Sequence, residues 1–315
     1  MHLHLSRRLL PGVAVLPLLW AAAPAHASCG AAFCSFDMHG LAPGIESGTL
    51  LGLRYEYIDQ SQPRLRSERL AVGEVHRHHD EIRTRNQNLI ASVDHGLGAD
   101  TAVSIEAPLV RRAHDHIHHH AGSRFYDRWD FHGLGDARLS LRRQHGAWIG
   151  SAGVKLPTGR YDRSNDDGQE AERSLQAGSG TTDALLGIAY HGTVEINNRP
   201  ARGFAQLRAQ LPLNMRDEYR HGNSVGVDLG IGYPLSHALQ LNAQLNLVVK
   251  GRDRGDQAEP LDSGGRFLWL SPGLSANLGR RWQLYGVVQL PLYQRVNGVQ
   301  LTADWTLAAG LAYRL

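Results

Sequence analysis

Two cysteines, two lysines and no long apolar run beyond the first thirty residues mark what this 315-residue chain lacks. The missing run excludes a helical membrane protein, because a spanning helix needs about 18 or more consecutive apolar residues. The cysteines, Cys29 and Cys34, lie five positions apart in "CGAAFC". A small disulfide loop, a thiolate metal pair and free thiols are all open readings of them. Excess positive charge is missing too: the formal net charge of +3 includes Arg7 and Arg8 at the start of the chain, and 3 − 2 leaves +1. That excludes the basic footprint through which nucleic acids are bound. Nor is there a phosphate-cradling glycine loop, a Cys-x-x-Cys metal pair or a dinucleotide fingerprint.

The opening residues carry a signal of their own. Arg7 and Arg8 precede an apolar stretch from Leu9 to Ala23, broken by Pro11 and Pro17, and Ala25-His26-Ala27 forms a small-x-small cleavage site. The pattern predicts a cleaved signal peptide over residues 1–27, followed by a periplasmic N-terminal segment over 28–47 and one folded unit over 48–315.

What is present is alternation. In "HALQLNAQLNLVVKG" the apolar Leu239, Leu241, Ala243, Leu245, Leu247 and Val249 alternate with Gln240, Asn242, Gln244 and Asn246. The final segment repeats the pattern, with Trp305, Leu307, Ala309, Leu311, Tyr313 and Leu315 on one face. Period two means a strand with one apolar face. Runs this long suit a tilted strand crossing a bilayer, which takes about 9–11 residues, better than a soluble strand of about 5–6.

Similar segments cover 48–58, 86–95, 100–110, 135–144, 147–157, 182–191, 201–211, 224–234, 237–249, 266–278, 281–292 and 303–315. Their connections alternate in length: long at 59–85, 111–134, 158–181, 212–223, 250–265 and 293–302, and shorter between. Aromatic residues, among them Tyr55, Tyr57, Trp148, Tyr190, Tyr233, Trp269, Trp282, Tyr293, Trp305 and Tyr313, fall near strand ends as an interfacial girdle does. The predicted fold is all-β: a transmembrane antiparallel up-and-down β-barrel of about 12 strands. Its expected place is the outer membrane of a Gram-negative bacterium, with lipid and the barrel-assembly machinery as partners.

Three segments also carry a resemblance. "GLGDARLSLRRQ" (133–144), "SAGVKLPTGRYD" (151–162) and "QAGSGTTDALLGIAY" (176–190) resemble, in order and spacing, the outer-membrane family associated with the meta-pathway of phenol degradation. The likeness covers the middle third well and the C-terminal strands by pattern only, and Leu315 replaces the usual terminal aromatic. It implies an outer-membrane barrel with a transport role. The motif residues also have a structural reading: Gly133, Gly135, Gly159, Gly178 and Gly180 provide turns and close approaches, and Asp136, Lys155 and Asp183 pair across strands.

With the apolar face toward lipid, the predicted pore lining includes Asn86, Asn88, Glu106, Asp136, Arg138, Arg142, Lys155, Arg208, Asn242 and Gln244. A narrow channel and a plugged lumen are equally compatible with about twelve strands. Two histidine runs, "HRHHDE" (76–81) and "HDHIHHH" (114–120), map to long loops that share one rim. The candidate metal ligands are His76, His78, His79, Asp80, His114, His116, His118, His119 and His120, with Glu81 and Asp115 close by. Imidazoles with carboxylates suit zinc, copper or nickel.

The leading expectation is an outer-membrane channel or transport protein for small solutes, hydrophobic or aromatic if the resemblance is followed, with a metal-binding rim. The alternatives are a surface metal-binding protein anchored by its barrel, and an outer-membrane hydrolase built on His221, Asn223 and Ser224 in "HGNSVG". An enzyme is the least favoured, because a nucleophile needs a base in defined geometry, which sequence neighbours rarely supply.

Overall fold

The computed structural model describes residues 28–29, 45, 47–74, 80–120 and 123–315. The expected signal peptide, Cys34, His76, His78 and His79 lie outside the described residues. No helix forms among the described residues. The strands are β1 (Ser28–Cys29), β2 (Gly48–Leu65), β3 (Glu68–Arg69), β4 (Asp80–Gly96), β5 (Thr101–His120) and β6 (Ser123–Leu134). They continue as β7 (Ala137–His145), β8 (Trp148–Leu156), β9 (Asp183–Ile196), β10 (Arg199–Pro212) and β11 (Ser224–Pro234). The last four are β12 (Leu239–Lys250), β13 (Gly265–Leu278), β14 (Trp282–Val296) and β15 (Val299–Arg314).

Twelve of these, β2, β4, β5 and β7 through β15, pair antiparallel in sequence order, and β15 returns to β2 to close the ring. The closing ladder runs from Val299↔Leu65 to Arg314↔Leu50. Closure matters because an unpaired edge in hydrocarbon leaves every other N–H and C=O unsatisfied. Strand β6 lies off the ring: β5 pairs with β7 over Thr101–Glu106 and with β6 over Leu109–His120, so a β5–β6 hairpin stands beyond the barrel wall.

The alternation resolves into an inverted protein. Leu51, Leu53, Leu89, Val93, Ile105, Leu141, Ile188, Leu229, Leu245 and Leu307 share the outward face, while Glu56, Asn86, Asp228, Asn242, Gln244 and Asn246 are buried inside. The inner side chains bond one another. Asn86 donates to Gln60 at 2.8 Å, Asn88 to Glu56 at 2.9 Å, Asn246 to Asp228 at 2.7 Å, and Ser271 to Asn246 at 2.6 Å. Aromatics ring both ends: Trp148 with Tyr190 and Trp282 with Tyr313 near the short turns, Tyr57 with Trp305 near the long connections. Trp269, expected in the girdle, instead faces inward opposite Asn246 and stacks on Phe267.

Several strands run past the apolar belt, which corrects the expected loops. The 111–134 connection is mostly the β5–β6 hairpin, the 59–85 connection is shortened from both sides, and 293–302 is a tight turn at Asn297-Gly298. The connection through "NNRPA" is likewise a two-residue hairpin turn, with Asn197 and Asn198 both at positive φ (51° and 58°). Alternating hydrophobicity reports only the lipid-facing part of a strand. Above it, outward positions carry charge pairs such as Arg83 to Asp59 (2.8 Å) and Arg111 to Asp130 (2.9 Å).

Leu245 sits in the middle of the outward face of β12. Leu245→Arg is expected to destabilise the barrel by about 2–4 kcal/mol, the cost of a charge near the bilayer midplane. Reversible denaturant unfolding in lipid vesicles measures it, and an unchanged midpoint would contradict the lipid-facing assignment.

Candidate functional site

The residues of the sequence motifs meet at one point. Lys155, at the end of β8, places its Nζ 3.0 Å from Asp136 Oδ2 and 3.0 Å from Asp183 Oδ2, and donates also to Ser179 Oγ. The Lys155 and Asp183 side chains are buried, and that of Asp136 is only 9% exposed. Asp136 in turn accepts from the backbone N–H of Gly159 (3.1 Å) and Ser179 (2.9 Å), and Thr181 donates to Asp183 (2.7 Å). These are the two ends of connection 157–182, so one ammonium and two carboxylates clamp both ends of that loop to the wall. Only glycines allow the crossing: a Cβ on Gly159 would lie 2.7 Å from Gly178 Cα.

Clamped this way, the loop folds inward across the mouth. Ala171 and Leu175 bury against Trp129 and Phe131 of β6 and against Leu301 of β15. Trp129 Nε1 donates to Gln169 O at 2.9 Å, and the Arg173 guanidinium lies over the rings of Tyr161 and Tyr219. Against the loop lies a cavity of about 460 Å³, lined among others by His116, Trp129, Glu172, Leu175, Tyr219 and Asp253. Tyr219 donates to Asp253 at 2.8 Å, and burial together with that carboxylate raises its phenol well above the usual value.

The second histidine run lies in strand β5, not in a loop. His114 and His116 point inward from β5 and are buried, whereas His118 lines the cavity and His119 is exposed, meeting Asp80 at 2.7 Å. The backbone of His120 ends β5. His114 Nδ1 meets Thr84 Oγ1 at 2.7 Å, and its Nε2 lies 3.3 Å from His116 Nδ1 and 3.2 Å from Glu81 Oε2. His116 Nε2 faces Asp127 Oδ2 at 3.5 Å. Burial, then the neighbouring His116, pushes His114 down to about 3, so its imidazole is neutral. Burial also raises Glu81 well above the carboxylate range, as do the nearby carboxylates of Glu172, Asp262 and Glu259. Glu81 was visible in the sequence only as a neighbour of the first run; its inward position depends on a register shift between Glu81 and Arg83.

Of the expected pore lining, Asn86, Asn88, Asn242 and Gln244 are buried on the inner face. Arg142 pairs with Asp94 at 2.8 Å and Arg208 with Asp228 at 2.7 Å. Glu106 and Arg138 stand opposite each other on β5 and β7. Asp136 and Lys155 belong to the clamp rather than to a free wall. The hydrolase constellation does not assemble: His221 spends Nε2 on Asp183 (2.8 Å) and Nδ1 on Gly222 O (3.0 Å), leaving neither nitrogen for Ser224.

No family model and no curated protein matches this chain. Solved structures do. An outer-membrane channel from Pseudomonas putida F1 aligns at 14% identity over 86% of this chain and 97% of its own, with a TM-score of 0.64. The translocator domain of the autotransporter NalP from Neisseria meningitidis aligns at 13% identity over 88% and 91%, TM-score 0.45. The toluene transporter TbuX of Ralstonia pickettii aligns at 9% identity over 86% and 90%, TM-score 0.46. At such identities the first likeness is one of fold, that of an outer-membrane β-barrel; the other two add nothing to it. The phenol-pathway family is not itself established by these comparisons.

Replacing Lys155 by Met keeps the volume and strands two buried carboxylates, at a cost of about 3–5 kcal/mol. Lys155→Met is therefore expected to free the loop, and trypsin should cut after Arg163 or Arg173 much faster than in the parent protein. Unchanged cleavage would show that the ion pairs do not hold the loop.

Proposed function

We propose that this protein is a narrow channel for small solutes in the outer membrane of a Gram-negative bacterium, with loop 157–182 as its constriction. The observation that carries the reading is the clamped loop inside a closed barrel with a polar interior: Lys155, Asp136 and Asp183 hold a partial plug in the one place where it controls entry. A barrel serving only as an anchor has no need of such a device. The fold shared with the Pseudomonas putida F1 channel supports this reading. The short turns are assigned to the periplasm and the plugged mouth to the outside, following the habit of such barrels.

The cavity supports a reading of the solute class. Its volume falls in the range of about 300–1,000 Å³ typical of small-ligand sites. Trp129, Leu175 and Tyr219 supply flat apolar contact, and Arg173 with several carboxylates supplies polar ends. That combination suits small aromatic compounds bearing a polar or cationic substituent, since an aromatic wall attracts cations.

Reconstituted in planar bilayers, the protein is expected to show small single-channel conductance that rises severalfold in Lys155→Met. Proteoliposomes should take up a labelled monoaromatic amine faster than a disaccharide. Absence of both conductance and uptake, in parent and variant alike, would rule out the channel.

A further inference from the structure

We propose that Glu81, His114 and His116 form a binding site for a divalent transition-metal ion, zinc by preference, inside the mouth of the barrel. The inference goes beyond the channel reading and does not need solute to pass.

Four observations carry it. First, spacing: a tetrahedral zinc holds its ligand atoms at about 2.0 Å, which puts any two of them about 3.3 Å apart. His114 Nε2 lies 3.2 Å from Glu81 Oε2 and 3.3 Å from His116 Nδ1, and the three ligand atoms all fall within 4.8 Å of one another. Second, Glu81 is 3% exposed, yet neither of its carboxylate oxygens has a hydrogen-bond partner. A buried carboxylate without donors is strongly destabilised, and a bound cation removes that cost. Third, each imidazole has its second nitrogen beside an oxygen that can accept from it, Thr84 Oγ1 at 2.7 Å for His114 Nδ1 and the Asp127 carboxylate at 3.5 Å for His116 Nε2. Metal-bound histidines are held in this way, because the outer acceptor fixes the tautomer and leaves the lone pair on the inner nitrogen.

Fourth, the backbone is bent to build the group. Glu81 pairs with His116 and Arg83 with Asp115, so Ile82 is an extra residue in β4. Without that bulge Glu81 would share the outward face with Arg83. Bulges re-aim side chains beside functional sites, and this one turns a carboxylate onto the two imidazoles. Trp129 closes the site on the apolar side, its ring centroid 4.9 Å from that of His116 and 5.7 Å from that of His114.

Two imidazoles and a carboxylate are the three-ligand set of open zinc sites, with a remaining position for water or a solute. Here His116 also lines the cavity, which gives the ion a route in. A second grouping, His116, His118 and Asp127, shares the same ring but is less buried. It contributes Asp127 as an outer acceptor. The ion would tie β4 to β5, a different place from the exposed position of His119.

The full-length protein, purified in detergent and stripped with a chelator, is titrated with Zn²⁺ against a chromogenic competitor. One tight ion per chain is expected. Glu81→Gln should weaken it more than tenfold, Thr84→Ala about tenfold through the outer shell, and the double change His119→Ala, His120→Ala should leave it alone. Co²⁺ in place of Zn²⁺ should give the intense visible bands of a tetrahedral site, lost in Glu81→Gln. Circular dichroism and heat-modifiable migration check that each barrel is assembled; if Glu81→Gln does not assemble, Thr84→Ala decides. Parent-like affinity in both Glu81→Gln and Thr84→Ala would overturn the site, as would loss confined to the His119, His120 variant.

Discussion

Everything in this structure depends on one requirement: a strand immersed in hydrocarbon must pair all of its backbone polar groups with other strands. The β15–β2 ladder meets it by joining the last long strand to the first. Closure then sorts side chains with no further choice, since successive residues point to opposite faces. Apolar residues go out and polar ones go in, so the interior becomes a lattice of hydrogen bonds among Asn, Gln, Ser, Asp and Arg. In such an interior a charge persists only with its partners in place. Inner charges therefore act as fasteners, and their positions reveal what is fastened.

Lys155 shows this most clearly. It is one of only two lysines in the chain, and it sits where the ends of loop 157–182 cross. The pattern of Gly, Asp, Lys and Ser around it reads in sequence as turn chemistry plus strand pairing. In space it is a single knot, in which the glycines provide contact distance and the ions provide attachment. The resemblance carried by these motifs thus concerns a way of holding a loop inside a barrel. That role is structural, and the proposed channel rests on it.

Much of the fold was legible because lipid imposes a strict period. Segments such as Leu239–Lys250 and the outward face of β15 could hardly be anything else. Legibility ended where the lipid did. Residues 111–120 lack apolar alternation, so they read as loop, although His114, His116 and His118 at alternate positions carried the same period in polar form. Trp269 looked like a girdle residue because a tryptophan near a strand end usually is one; its register opposite Asn246 turns it inward. The site was half legible. The histidines were named, but Glu81 was left beside the ligand set, because its aim depends on one extra residue in β4 that no periodicity announces.

The attachment of the plug also determines how it can move. Its ends are fixed by ion pairs and by the Gly159–Gly178 contact, which release only at large cost. Its tip is held differently: Ala171 and Leu175 rest on Trp129, Phe131 and Leu301, Trp129 donates to Gln169 O, and Arg173 donates to Arg216 O and lies over Tyr219. Burying one leucine contributes about 1.5–3 kcal/mol, a scale that thermal motion or an entering apolar solute can offset. In the proposed channel, opening would be a displacement of the tip about anchored ends, and it would uncover Trp129 and Leu175 first.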